Sequence, residues 1–359
     1  MEPHRLKPVL LKTRTTARLA VESDLGGAED PRPRSAAPRT GMSHLRHIAA
    51  LAARSMVLAL TLVLGLAVPA VPAMAGDQGS TIAANPAPSP EQIRALIARA
   101  IENQHRDDRA LDEFERTEHT ITRKAENTEI LTDISERIVP SPAGNIKMRL
   151  SENEVAVTPE VYRHGVEFAV NALNSAIHPN DHFKEELAKY DKRRHDHAEL
   201  VDTTVQAFRL TWVGRETRTD SAGTHTYMKF LLDPDPDYKP INRFAAVFQH
   251  IHAALWVDEA QAQFARVEAD VATDISFAAG IAGKVYHGGH VVIVQEEVAP
   301  GVWLPTQYVY NVDGRKFVSA FGIHEHTEIT KFRRVGPPPQ AVEIMRNELN
   351  ALSAGTASR

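Results

Sequence analysis

The sequence of 359 residues contains no cysteine. Disulfide bonds, thiol catalysis and lipid attachment at a lipobox cysteine are therefore excluded, and stability has to come from burial and hydrogen bonding. Nucleic acid is not an expected partner, because the net charge is −5 and no basic block occurs beyond residue 75. Beyond that residue there is also no segment long and apolar enough to span a bilayer.

Motifs of the common enzyme classes are absent as well. The sequence has no G-x-S-x-G elbow, no Walker loop, no G-x-G-x-x-G and no H-E-x-x-H. Adjacent acidic residues such as Asp258 and Glu259 point to opposite sides of a strand, so they do not form an acid–base couple. These absences predict a non-enzymatic protein without a cofactor.

The first 75 residues have the composition of a leader and a signal peptide. Residues 1–41 are polar, rich in Arg, Pro and Ser, and predicted to be disordered. Residues 42–75 contain basic residues, an apolar run at 56–68 and the small residues Ala73 and Ala75, in that order. This order predicts cleavage near Ala75 and export to the periplasm or the extracellular space.

A membrane anchor is the alternative interpretation of the apolar run. The run is shorter than the roughly 20 residues that a spanning helix needs, and Pro69 and Pro72 end it. Cleavage is therefore preferred, and no transmembrane segment is expected after it.

Helical periodicity is strongest in the first half of the exported chain. Residues 76–89 form a predicted linker, after which Ser89 can cap a helix that begins at Pro90. Residues 90–353 are predicted to form one α+β domain with a helical insert at about 159–200, followed by a loose tail at 354–359. The predicted helices cover 90–104, 159–176, 183–200 and 340–352.

Beyond Asp202, alternating apolar residues and short turns predict a meander of about seven strands. Asp313-Gly314 is the strongest hairpin signal among these turns. Strands joined by short turns pair antiparallel, and a sheet of this length curls. The expected fold is α+β, with a curved antiparallel sheet or incomplete β-barrel and helices over its concave face.

The meander resembles the LolA-like exported bacterial proteins of the lipoprotein-sorting type. The resemblance covers roughly 207–334, and the segments that carry it are FLLDPDPDYKP, ALWVDEAQAQFARVEADV, AAGIAGKVYHGGHVVIVQEEVAPGVWLPTQYVY and ITKFRRV. The resemblance implies an incomplete barrel whose apolar concave face holds an acyl chain or another lipid.

Eight apolar residues on alternating positions are the candidates for ligand contact on that face. The alternative is that they form an ordinary core, since an alternating apolar face usually packs inside the protein. The candidates are Phe208, Leu210, Trp212, Met228, Phe230, Tyr308, Tyr310 and Phe321.

Two further hypotheses come from other classes of function. The first is a metal-dependent enzyme, because two histidines at i and i+2 of a strand share one side and can hold a metal. The second is a module that docks on a protein of the cell envelope through its helical half. The histidines to test for metal binding are His250, His252, His324 and His326, with His287 and His290 nearby.

Overall fold

The computed structural model describes residues 86–124, 129–219, 223–242, 245–277, 283–317 and 319–357. The predicted leader, the signal peptide and most of the linker lie outside these ranges, so they stay predictions. Within the described ranges, no helix combines the length and the apolar composition needed to cross a membrane. All described residues belong to a single compact unit.

A sheet of thirteen strands dominates the molecule, and every strand pair in it is antiparallel. The strands are β1 (Phe114–Arg123), β2 (Ile130–Val139), β3 (Ile146–Glu152), β4 (Val155–Ala156), β5 (Phe208–Thr219), β6 (Thr224–Pro234), β7 (Ile251–Asp258), β8 (Gln263–Val271), β9 (Ile275–Phe277), β10 (Gly283–Val285), β11 (His290–Ala299), β12 (Val302–Lys316) and β13 (Ser319–Arg334).

The strand order is β4-β3-β2-β1-β13-β12-β11-β8-β7-β6-β5, with β9 and β10 attached beside β12. In the described part of the chain the two end strands do not pair with each other, so the curved sheet is not closed into a barrel. The predicted α+β class and the curved antiparallel sheet are confirmed.

Four helices accompany the sheet, and polar side chains cap three of them. They are α1 (Pro90–Ala110), α2 (Pro159–Ile177), α3 (Asp181–Ala207) and α4 (Pro338–Ala357). Ser89 and Gln92 form the expected capping box of α1, and Thr158 and Asn180 cap α2 and α3. Both α3 and α4 run past their predicted ends, so residues 354–357 are helical instead of part of a loose tail.

The helices divide between the two faces of the sheet. We call the face that carries Phe230, Leu255 and Tyr310 the concave face; α1 and the end of α3 pack into its apolar cluster. The opposite, convex face of β2 and β3 carries Val139 and Met148, against which α2 and α4 pack in a second cluster. Only two of the four helices therefore cover the concave face.

The predicted turn at Asp313-Gly314 is wrong. β12 continues through both residues to Lys316, and Gly314 lies opposite Phe321 of β13. A Cβ atom at Gly314 would clash with the backbone carbonyl oxygen of Lys284 in β10 and would lie 2.6 Å from Phe321 Cζ. Glycine is therefore needed there because neighbouring backbone and the ring occupy the space. The chain turns later, at Phe317, whose φ is 52°.

Gly288-Gly289 does not join the two strands of a hairpin. The segment before these glycines pairs as β10 with β9 and β12 in the described residues. The last strand, β13, is continuous over Ser319–Arg334. The region beyond Asp202 thus contains nine strands instead of about seven.

Candidate functional site on the concave face

All eight predicted ligand-contact residues lie in one apolar cluster on the concave face. Phe208, Met228, Phe230 and Tyr310 are buried members of this cluster. The other four, Leu210, Trp212, Tyr308 and Phe321, are only partly buried and pack against it. The alternation along the strands thus identified which residues share this face, whereas ligand contact stays a prediction.

Helix α1 is tied firmly to the rim of the sheet. Leu96, Ile97 and Ala100 are buried in the concave cluster. The Asn103 amide donates to the carbonyl oxygens of Gln261 and Ala262 at 3.0 and 2.9 Å. These contacts lie in the turn between β7 and β8, so α1 cannot leave the face without exposing core residues.

Helix α3 is attached much more weakly. Of its 27 residues, only Leu200, Val201, Thr203 and Ala207 are buried, all near its end. Polar contacts also hold it to α1. His105 Nε2 lies 2.7 Å from Asp202 Oδ1, and this contact is at the surface. Helix α3 is therefore the cover of the concave face that needs least energy to move.

The middle of α3 is joined to Asp112, which follows α1. The Tyr190 hydroxyl donates to Asp112 Oδ1 at 2.8 Å, and Arg194 forms an ion pair with the same carboxylate. Burial raises the pKa of Asp112, and the contacts from Tyr190 and Arg194 act against that effect without cancelling it. The contact is thus strongest where Asp112 is ionised.

A small hollow lies under α3 at the centre of the concave face. Its volume is about 30 Å³, and Thr204 of α3 closes it. The other lining residues are Leu232, Leu255, Phe264, Arg266, Val267, Ile293 and Gln295. This volume is far below the about 300–1,000 Å³ of pockets for drug-sized ligands. A lipid would need α3 to move aside here.

A polar cluster, which the sequence did not suggest, borders the apolar residues near Tyr308. Arg116 is only 5 % exposed, and its Nε donates to Glu118 Oε1 at 3.1 Å. Arg116 Nη1 and Asp108 Oδ2 are buried and have no hydrogen-bond partner. Burial raises the pKa of Tyr308, and the nearby charges of Arg116, Glu118 and Asp108 also act on it. The sequence signal that could have predicted this cluster is Arg116, a charged residue at a position of β1 whose side chain faces the concave side.

A second, polar hollow of about 460 Å³ lies at the ends of β6 and β7. His225 Nδ1 lies 3.0 Å from Asp258 Oδ2, and the Asp258 side chain is only 2 % exposed. Such a pair can orient a histidine as a proton acceptor. The hydroxyls of Thr224 and Thr226, which line the hollow, contact other threonines instead of His225. No nucleophile is therefore aligned with the pair in the described residues.

The histidines proposed for metal binding each contact a different neighbour. His250 contacts Thr273, His252 contacts Asp233, and His324 contacts Asp313, at 2.8, 2.8 and 3.1 Å. His290 lies 2.6 Å from Asp270, His287 2.9 Å from Asp274, and His326 3.5 Å from Glu328. Across the described ranges, no three histidine, aspartate or glutamate side chains come together as a metal site.

Comparisons with known proteins add little to this description. No protein-family model matches the chain, and no curated protein matches it. Among solved structures, a DUF1329 family protein from Desulfovibrio piger is similar at 11% sequence identity, covering 68% of this chain and 93% of that chain. The TM-score is 0.25, and at that value the two backbones share too little for the likeness to bear on fold or function.

Proposed function

We propose that this protein is an exported, non-enzymatic carrier that binds a lipid, an acyl chain or a similar apolar ligand between α3 and the concave face. The observation that carries the proposal is the incomplete burial of the concave cluster. Leu210, Trp212 and Phe321 remain partly exposed beside it. Export rests on the signal-peptide pattern, and the LolA-like resemblance supports the choice of face.

The free energy gained by burying an apolar ligand is similar in size to the free energy needed to displace α3. Burying about 300 Å² of apolar ligand surface contributes about 7 kcal/mol at 25 cal/mol per Å². Lifting α3 exposes Leu200 and Val201, at about 2 kcal/mol each. It also breaks the His105–Asp202 pair at the surface, about 1 kcal/mol or less, and the partly buried Arg194–Asp112 pair, about 1–3 kcal/mol. A ligand with a long apolar chain can therefore drive the displacement.

The test is a reversible lock on α3. The chain has no cysteine, so the double variant His105→Cys with Asp202→Cys introduces the only two thiols. The native side chains meet at 2.7 Å through an imidazole and a carboxylate, and two cysteines are shorter, so a bis-methanethiosulfonate with a two-carbon bridge is used to oxidise both thiols into one reducible link. Binding of the apolar fluorophore phenylnaphthylamine is measured before and after reduction, with disulfide formation checked by mass. We expect the reduced protein to bind the probe and the oxidised protein to lose at least about tenfold in affinity.

A matched lock on the other face is the control. Asn174 of α2 and Arg346 of α4 meet at 2.9 Å on the convex side. Asn174→Cys with Arg346→Cys, joined by the same two-thiol reagent, ties two helices that the proposal leaves in place. Oxidation of this pair should not change probe binding. Equal binding by the oxidised and reduced α3 variants would show that α3 is not the moving part.

A module for docking on an envelope protein is the second candidate, and the 30 Å³ volume of the central hollow favours it. If the reduced variant and the unmodified protein both fail to bind the probe, the concave cluster is an ordinary core and the carrier proposal is wrong. The docking function then predicts a complex in pull-downs from envelope extract that survives Trp212→Ala.

A further inference from the structure

A large apolar side chain is exposed at the turn that joins β12 to β13. Phe317 is 58 % exposed, and its φ of 52° lies in the left-handed region, where a bulky residue is strained and glycine or asparagine is usual. An exposed apolar residue is ordinary by itself, but one held in strained backbone needs a reason. Neither packing inside the protein nor backbone preference supplies it, so contact with an outside partner is the remaining reason.

Two cations precede this ring in the chain. Arg315 Nη1 donates to the carbonyl oxygen of Phe317 at 3.1 Å, which holds the turn. Across the described residues, no carboxylate contacts Arg315 or Lys316. We call Arg315, Lys316 and Phe317 the β12–β13 tip. Both of its positive charges are therefore available to an anionic partner.

Strand β10 adds a third cation and a second aromatic ring beside the tip. Lys284 lies opposite Arg315, and its Nζ lies 5.8 Å from the centre of the exposed Tyr286 ring. Two carboxylates belong to this region, those of Asp274 and Asp313. Asp274 contacts Lys284 at 2.6 Å, whereas Asp313 contacts a histidine. Two carboxylates thus face three cations, and the excess charge is positive.

An exposed aromatic ring beside cations has the chemistry that an anionic lipid surface recognises. Apolar rings of peripheral proteins enter the boundary between head groups and acyl chains, and nearby Lys and Arg side chains are attracted to anionic lipids. The ring of Phe317 and the charges of Arg315 and Lys316 belong to consecutive residues, so they reach such a surface together.

We propose that the β12–β13 tip docks on the surface of an anionic phospholipid bilayer, with Phe317 among the head groups and Arg315 and Lys316 against the lipid phosphates. This docking does not depend on the carrier function, because none of the three residues belongs to the apolar cluster of the concave face.

Sedimentation with vesicles tests the proposal. The chain that remains after cleavage near Ala75 is used, because the apolar run at 56–68 would itself enter bilayers. The vesicles consist of phosphatidylcholine, alone or with about 30 % phosphatidylglycerol as the anionic lipid. We expect binding to the anionic vesicles to be at least about tenfold stronger. Equal binding to both compositions, or no binding to either, would overturn the proposal.

Phe317→Asn separates docking from folding. Asparagine tolerates a positive φ, so the urea midpoint of this variant should stay the same or rise, while its affinity for anionic vesicles should fall at least about tenfold. Phe168→Gln is the control, because this phenylalanine of α2 is also exposed, at 41 %. The control should bind vesicles as the unmodified protein does. Unchanged binding by Phe317→Asn, or equal losses in the two variants, would overturn the docking role of the tip.

Lys316→Gln tests the charge of the tip. Its affinity for anionic vesicles should fall several fold at low salt, and the difference should shrink at high salt because ions screen the attraction. Lys192→Gln is the matched control, since it removes the same charge from an exposed position of α3. Equal losses in both variants would show that binding follows net charge alone and would overturn the assignment to the tip.

The reducible link on α3 distinguishes docking from ligand uptake. Because the tip lies outside the concave cluster, the double variant His105→Cys with Asp202→Cys should bind anionic vesicles equally well before and after reduction. Loss of vesicle binding in the linked protein would show that the vesicles supply a ligand to the concave face, and the docking proposal would then be wrong.

Discussion

Folding shifts the pKa values of two histidines, His290 and His250, in opposite directions. A hydrogen bond to Asp270 is the main cause that raises the pKa of His290; burial opposes it, Glu268 supports it, and Arg266 opposes it. Burial alone lowers the pKa of His250. The first residue is therefore stabilised as a cation in the folded protein, and the second as a neutral ring.

These two shifts predict opposite pH dependences. The contribution of His290 is fully present below its unfolded pKa of about 6.5 and is lost as the pH rises through the folded pKa. His290→Gln should therefore destabilise the protein more at about pH 5.5 than at about pH 8.5. The measurement is urea denaturation at both pH values.

His250→Gln supplies the comparison. Because the folded pKa of His250 is depressed, the stability linked to its neutral form is present above about pH 6.5 and is lost as the pH falls. The variant should thus lose less stability, relative to the unmodified protein, at acid pH than at alkaline pH. The same pH trend in both variants would contradict the assigned causes.

At the scale of elements, α1 and α3 start with similar caps but play different parts. Ser89 Oγ accepts from Gln92 N at 3.3 Å, and Asn180 Oδ1 accepts from Phe183 N at 2.8 Å. Helix α1 contributes three side chains to the concave cluster, whereas the start of α3 contributes none. Removing the cap of α1 should therefore lower global stability, whereas removing the cap of α3 should change only local unfolding of that helix.

Ser89→Ala should lower the global free energy of unfolding by about 1 kcal/mol, the usual contribution of a cap. Asn180→Ala should change global unfolding by less than about 0.5 kcal/mol and instead speed amide hydrogen exchange in the first turn of α3. Denaturation and hydrogen exchange of both variants check this. Equal global losses would mean that α3 unfolds only with the whole sheet.

At the scale of the whole molecule, a network around Arg137 joins α2 and α4 to the sheet. Arg137 contacts Glu115 at 2.7 Å and both carboxylate oxygens of Glu348 at 2.8 Å, and Tyr162 donates to Glu348 at 2.7 Å. Arg333 also contacts Glu115 at 2.7 Å. Burial raises the pKa of Glu348, but the hydrogen bonds from Tyr162 and Arg137 outweigh it, and the net pKa is lowered.

The lowered pKa of Glu348 predicts acid sensitivity of this network. Its contribution is present above the unfolded value of about 4.3 and is lost as the pH falls through the folded pKa. Glu348→Gln should cost about 1–3 kcal/mol near neutral pH, and the cost should shrink in acid. Glu343→Gln, at an exposed position of the same helix, is the control and should change stability by less than about 0.5 kcal/mol.

The parts of the fold that depend on neighbours in the sequence were predictable. Alternation placed Phe230, Tyr310 and the other candidates on one face, because side chains alternate along any strand. Ser89 and Pro90 marked the start of α1, because a cap acts within one turn. The prediction of a turn at Asp313-Gly314 was wrong because the glycine is required by tertiary contacts. The ring of Phe321 and the backbone of a strand distant in sequence lie against Gly314.

Composition and local periodicity are sufficient to establish the absence of disulfides, the α+β class and the set of residues on the concave face. They do not reveal that α1 and α3 cover that face while α2 and α4 cover the other, that the central hollow measures about 30 Å³, or that Arg116 points inward with a nitrogen that has no hydrogen-bond partner. These features depend on strand register and helix docking between residues far apart in the chain, which no local pattern encodes.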